Sequence, residues 1–271
     1  MLRFGLLAVA LCLLAPLALS AQPYPGVTPV PRTTDPAKLL TLATQREIVE
    51  RIRVGVAAEE RRDWMAAAAE FARVLALGPH EPQASTAFYD LGLARAGLAQ
   101  YAAAADAFRA AVARDPGFIA ARSNLVTVEL AHNDLRAARE AADALVAAAP
   151  DSARALYASG IVALRAGDAT RALADFRKLL SNDPAYAVAH YNLGIAEQQS
   201  GHYDDAEREL RTAISLAPAY ARAKLALGAV LLREGRRSEA RVAFDEASRA
   251  APDPTLRNLA VSLRDAIETV P

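Results

Sequence analysis

Four histidines, His80, His132, His190 and His202, and scattered carboxylates are the side chains best suited to acid-base or metal chemistry. None of the histidines stands in a His-Glu-x-x-His arrangement or another recognised zinc spacing. His190 and His202 are twelve residues apart, which places them on different helices of one hairpin, so packing or surface roles are expected for them. Glu59-Glu60, Asp204-Asp205 and Glu207 fall at hairpin turns or on second helices, where a solvated face is the usual reason for charge. No nucleophile stands with a base, and the glycines are spread along the chain rather than gathered into a phosphate-cradling loop. The residues therefore predict no enzyme, no cofactor and no metal.

Only Lys38, Lys178 and Lys224 are lysines, so nearly all positive charge is the planar guanidinium fork that grips carboxylates. Basic and acidic residues balance at 31 each with no long single-sign block, which argues against a nucleic-acid partner.

The elements that position these side chains follow from composition and period. The 271 residues are 53% hydrophobic and only 6% aromatic, rich in Ala, Leu and Arg, so helix is favoured almost everywhere. Prolines stand at 82, 116, 150, 184, 218 and 252, always thirty-four residues apart. Gly92, Gly160, Gly194 and Gly228 keep the same phase, with Val126 substituting once. Twelve residues later come Ala104, Ala138, Ala172, Ala206 and Ala240, and one turn further Phe108, Ala142, Phe176, Leu210 and Phe244. An earlier copy shows in Gly55, Ala67 and Phe71.

Small residues at facing places let helices approach, and the large residue one turn after the alanine fills the space between them. Gly167, Gly201, Gly235 and Asn133 should stop first helices in a left-handed conformation. The prolines should preset the first turn of the next helix, with the carboxylates of Asp115 and Asp183 as caps.

This unit resembles the tetratricopeptide repeat, whose pattern is carried here by His190-Tyr191-Asn192-Leu193-Gly194 with Gly201, Tyr203, Ala206, Leu210 and Pro218. It is carried again by Phe88-Tyr89-Asp90-Leu91-Gly92 with Tyr101, Ala104, Phe108 and Pro116. The resemblance implies an all-α, right-handed superhelical solenoid of six hairpins, 48–81, 85–118, 119–152, 153–186, 187–220 and 221–254. A leading helix (35–47) precedes them and a capping helix (255–271) follows, its apolar face formed by Leu256, Leu259, Leu263 and Ile267.

It also implies that first helices line a concave peptide-binding groove. The places are occupied by Tyr89, Leu93, Asn124, Thr127, Arg154, Tyr157, Ile161, Tyr191, Asn192, Ile195 and Arg222, with Arg165 and Arg233 one turn further. The lysine-and-asparagine clamp for a C-terminal carboxylate, known in this family, is set aside. Asn124 and Asn192 match its middle asparagine, but Tyr157 and Ile161 stand where the preceding lysine and asparagine are expected.

The N-terminus carries an address. Arg3 precedes an apolar stretch to Leu19, and Ala18-Leu19-Ser20 before Ala21 has the small-x-small pattern of a cleavage site. Residues 1–20 are read as a signal peptide cut near Ser20/Ala21, or an uncleaved anchor, giving a periplasmic or secreted protein. Residues 21–34, with Pro23, Pro25, Pro29 and Pro31, are an extended tether. Cys12, the only cysteine, falls inside the signal, so the mature chain has no thiol. The expected function is a non-catalytic scaffold in the cell envelope that binds a peptide or helix of another exported protein, with no small-molecule substrate. The rival reading is a self-associating structural or assembly component of an envelope complex, with an enzyme as a remote third.

Overall fold

The computed structural model describes residues 36–267; the signal and linker readings, the first residue of the leading helix and the last four residues of the capping segment lie outside them. Thirteen helices and no strand are found among the described residues. They are α1 (Pro36–Glu60), α2 (Trp64–Ala76), α3 (Gln83–Gly97), α4 (Tyr101–Arg114), α5 (Ile119–Ala131), α6 (Leu135–Ala148), α7 (Ala153–Ala166), α8 (Ala169–Asn182), α9 (Ala187–Gln199), α10 (Tyr203–Leu216), α11 (Ala221–Arg233), α12 (Arg237–Ala250) and α13 (Pro254–Ala266). They fall into two compact units that divide between Ala149 and Pro150. In the first, α1 to α6 pack in sequence as three hairpins; in the second, α7 to α12 make three more, and α13 lies against α12. The leading segment and the first helix of the first repeat form one helix, α1, with no break near residue 47.

The hairpins close in one way. A residue with positive φ follows the first helix: Arg62 (59°), Ala99 (57°), Asn133 (64°), Gly167 (73°), Gly201 (82°) and Gly235 (78°). The next amide then donates back five residues, as from Asp168 to the Ala163 carbonyl at 2.9 Å and from His202 to the Glu197 carbonyl at 2.9 Å. The three glycines and Asn133 take this role as their types suggest. Ala99 and Arg62 take it despite carrying a Cβ, at a cost of roughly 1 kcal/mol each.

The prolines act differently from the sequence expectation. Pro116, Pro184 and Pro218 occupy the second place of four-residue turns, closed by bonds such as Tyr220 N–H to the Ala217 carbonyl at 2.9 Å. The next helices start only at Ile119, Ala187 and Ala221. Asp115 and Asp183 do not cap helices; each accepts from the amide two residues on, Gly117 at 2.9 Å and Ala185 at 3.2 Å, within the turn. The carboxylates that do cap are Asp63, Asp134, Asp168 and Asp253, which accept from Ala66, Ala137, Arg171 and Leu256.

The core of every hairpin but the third sets a large side chain, a ring in all but one, against a bare backbone. A Cβ placed on Gly92, Gly160 or Gly228 would stand 2.6 Å from the ring of Phe108, Phe176 or Phe244, and one on Gly194 2.8 Å from Leu210. These three rings and Leu210 are fully buried. The third hairpin exchanges the sizes: Val126 and Ala142 stand in the glycine and phenylalanine places, and both are buried.

Successive hairpins are tied by charge as well. Arg109 on α4 pairs with Glu129 on α5, and Arg177 on α8 donates to Glu197 on α9 at 2.5 Å. Each glutamate is about 2% exposed. In α13, Leu256 and Ala260 are buried, whereas Leu259 is 40% exposed, so the face that packs is narrower than the apolar positions suggest.

Candidate functional site

The residues expected to line a groove divide into two groups by burial. Tyr89 (6%), Leu93 (8%), Asn124 (7%), Tyr191 (6%) and Asn192 (4%) are buried and offer little surface to a partner, contrary to the expectation. The reason is aromatic packing between adjacent hairpins. Tyr89 lies 4.8 Å from Phe118 and 5.7 Å from Phe108, centroid to centroid, and its hydroxyl accepts from Asn124 Nδ2 at 3.2 Å. Tyr191 meets Tyr220 at 5.2 Å, and Asn192 Nδ2 donates to the Val188 carbonyl one turn back at 2.9 Å. Leu93 joins the core around Phe108.

In the second unit a set remains at the surface. Arg154, Tyr157, Ile161 and Arg165 follow at intervals of three, four and four along α7, a single stripe of the helix. Arg154 is exposed, and Tyr157, Ile161 and Arg165 are half-buried. Ile195 occupies the same place in α9 as Ile161 in α7, and it too is half-buried. Tyr157, Ile161 and Ile195 pack on one apolar cluster around Phe176, Leu164 and Leu193, so α7 and α9 bring these three side chains together. Tyr157 is held at 6.0 Å from Tyr186 in a stacked arrangement and 6.2 Å from Phe176, which fixes its ring without covering it. Arg222, half-buried, and Arg233, exposed, belong to α11. Among the described residues neither Arg154 nor Arg233 is engaged in an ion pair.

Pre-positioned apolar side chains edged by guanidinium groups can take up aliphatic or aromatic side chains of a peptide and hold its carboxylates by forked hydrogen bonds. They hold no nucleophile or general base. Sequence reasoning missed the aromatic partners Phe118, Tyr186 and Tyr220, although each follows its tyrosine by twenty-nine residues. Where the tyrosine is absent, at Ser123 and Leu225, the later place lacks a ring as well, at Ser152 and Pro254.

These hairpins place the chain in a class of helical-repeat proteins, and comparison with family models says which. Tetratricopeptide-repeat models match residues 55–117 and 124–187, and a second set matches 163–213 and 199–263. The chain belongs to the tetratricopeptide-repeat family. Among solved structures, it is similar to a tetratricopeptide-repeat protein of Thermus thermophilus at 24% identity and a TM-score of 0.57, covering 66% of this chain and 98% of that one. It is similar to one from Parabacteroides merdae at 16% identity and a TM-score of 0.60, covering 81% and 99%. It is also similar to YrrB, described as having an unusual peptide-binding site, at 16% identity and a TM-score of 0.54, covering 71% and 97%. At these identities the likeness establishes the fold. Comparison with curated sequences gives no match.

Proposed function

We propose that the chain is a non-catalytic adaptor of the cell envelope that binds an extended or helical segment of another exported protein across the first helices of its second unit. The observation that carries this reading is the stripe Arg154, Tyr157, Ile161 and Arg165 on α7 with Ile195 on α9. Its apolar members rest on a shared core cluster and its leading arginine is exposed without an ion pair among the described residues. Such a surface favours a segment with apolar anchors and acidic neighbours, because apolar burial supplies the affinity and the guanidinium groups supply selectivity. The apolar stretch and small-x-small site at the N-terminus support export, and the related structure described as having a peptide-binding site supports the mode of recognition.

Photo-crosslinking in the envelope fraction tests this directly. A crosslinking side chain at Ile161 or Ile195 should capture one polypeptide that the same probe at Val242, an exposed residue of α12, does not. Equal capture from all three places, or only the chain itself from Ile161 and Ile195, would sink the adaptor reading; the second result would favour self-association.

A further inference from the structure

We propose that Glu197, His202 and Asp205 form a binding site for one divalent first-row transition ion, with Zn2+ as the working probe. All three side chains surround the turn between α9 and α10: Glu197 in the last turn of α9, His202 just before α10, and Asp205 in its first turn. One ligand atom from each, a ring nitrogen of His202 and a carboxylate oxygen of either acid, lies within 4.8 Å of the other two. Nitrogen and oxygen ligands at about 2.0–2.2 Å from an ion stand roughly 3–4 Å from one another, so small side-chain rotations bring this set to bonding distance.

Glu197 is the anchor. It is 2% exposed; one oxygen accepts from Arg177 Nη2 at 2.5 Å and the other faces His202 Nδ1 at 2.9 Å. Ligating carboxylates are commonly oriented by an outer hydrogen bond of this kind. Each carboxylate also has a guanidinium beside it, Arg177 on Glu197 at 2.5 Å and Arg208 on Asp205 at 2.8 Å, so the ion would be held by ligation and not by net charge, with the exposed Arg208 giving way as Asp205 turns to the ion. An imidazole with two carboxylates suits Zn2+ and its neighbours better than Ca2+ or Mg2+, which take oxygen ligands alone.

The place before each second helix varies along the repeat: Asp134 and Asp168 cap their helices, accepting from Ala137 at 2.9 Å and Arg171 at 3.1 Å, while Gln100 and Arg236 make no side-chain cap. His202 makes no capping bond; its ring is turned onto Glu197. Glu129, the counterpart of Glu197 two repeats earlier, is buried against Arg109 with the capping Asp134 where the histidine would be. The buried arginine–glutamate pair therefore forms with no histidine in the place of His202. Among the described residues no other three His, Cys, Asp or Glu side chains meet this geometry. The ligands lie at intervals of five and three across a turn, unlike the spacings of helical zinc motifs, which is why sequence inspection passed over them. Three protein ligands leave a coordination position for water or for a group of a bound partner.

Calorimetric titration of Zn2+ into the full chain, untagged and carrying Cys12→Ser to remove its only thiol, should show one ion bound per chain. Co2+ should give the visible absorption of a tetrahedral or five-coordinate site. His202→Ser, which keeps a cap-competent hydroxyl, and Asp205→Asn should each abolish binding while leaving the helical circular dichroism unchanged, and Zn2+ should raise the melting temperature of the parent chain alone. Absence of binding by the parent chain, or binding and thermal shift retained in His202→Ser, overturns the proposal.

Discussion

At the residue scale, the fold rests on the exchange of volume between one place on each first helix and one on each second. Phe176 is fully buried, and a methyl group on Gly160 would meet its ring at 2.6 Å. Gly160→Ala should therefore destabilise by about 1–3 kcal/mol. The natural exchange at Val126 and Ala142 points to a repair. Gly160→Val with Phe176→Ala should cost clearly less than the sum of the two single changes in a urea-unfolding cycle, because the added isopropyl group occupies the space the ring leaves. Additive costs would show that the two places do not share that space.

Glu59 gives a second prediction at this scale. One of its carboxyl oxygens is buried without a hydrogen-bond partner among the described residues, and burial, with the negative charge of Asp90 adding to it, pushes the group up to about 8. An acid that titrates near 4.5 when unfolded and near 8 when folded holds its proton more tightly in the folded state. Its contribution therefore favours folding below pH 4.5 and turns against it as pH rises towards 8. Glu59→Gln should leave stability nearly unchanged at pH 5 and raise it by about 1–2 kcal/mol at pH 8, discounting for the partial exposure of the side chain. Urea midpoints at the two pH values check this; an equal shift at both would show that ionisation is not the cause.

At the element scale, much was legible in the sequence. The thirty-four-residue recurrence of glycine, alanine and phenylalanine marks which helices pair, because close approach needs a small residue opposite a large one. Gly167, Gly201, Gly235 and Asn133 end first helices as their types suggest. Ala99 and Arg62 do the same with no local signal, since the five-residue back-bond is imposed by the hairpin and overrides their own preference. Ala99→Gly should stabilise by about 0.5–1 kcal/mol, relief of left-handed strain exceeding the entropy that glycine adds to the unfolded chain. A lower unfolding midpoint for that variant would contradict this. The turn prolines were misread for a related reason: a proline fixes its own φ equally well in a helix's first turn and in the second place of a tight turn, and only the bonds around it distinguish the two.

At the scale of the whole molecule, the helices within each of the two units pack chiefly on their neighbours in sequence, so each unit is a series of local agreements and its repeat could be read from a single sequence. The binding surface was less legible. Periodicity placed Tyr89, Tyr157 and Tyr191 in one column, but which of them stays open depends on the next hairpin: Phe118 covers Tyr89, Tyr220 covers Tyr191, and Tyr186 stacks on Tyr157 without burying it. The surface that remains is smaller than the column pattern implied and belongs to the second unit, and the account stands on its ability to hold a peptide. The most direct measurement is equilibrium binding of a peptide selected from a random library on the intact chain, compared with the variant carrying Arg154→Ala, Tyr157→Ala and Ile161→Ala. With melting temperature little changed, the triple variant should bind at least about a hundredfold more weakly, as loss of aromatic and arginine anchors does elsewhere. Affinity equal to that of the intact chain would place the binding surface on other residues.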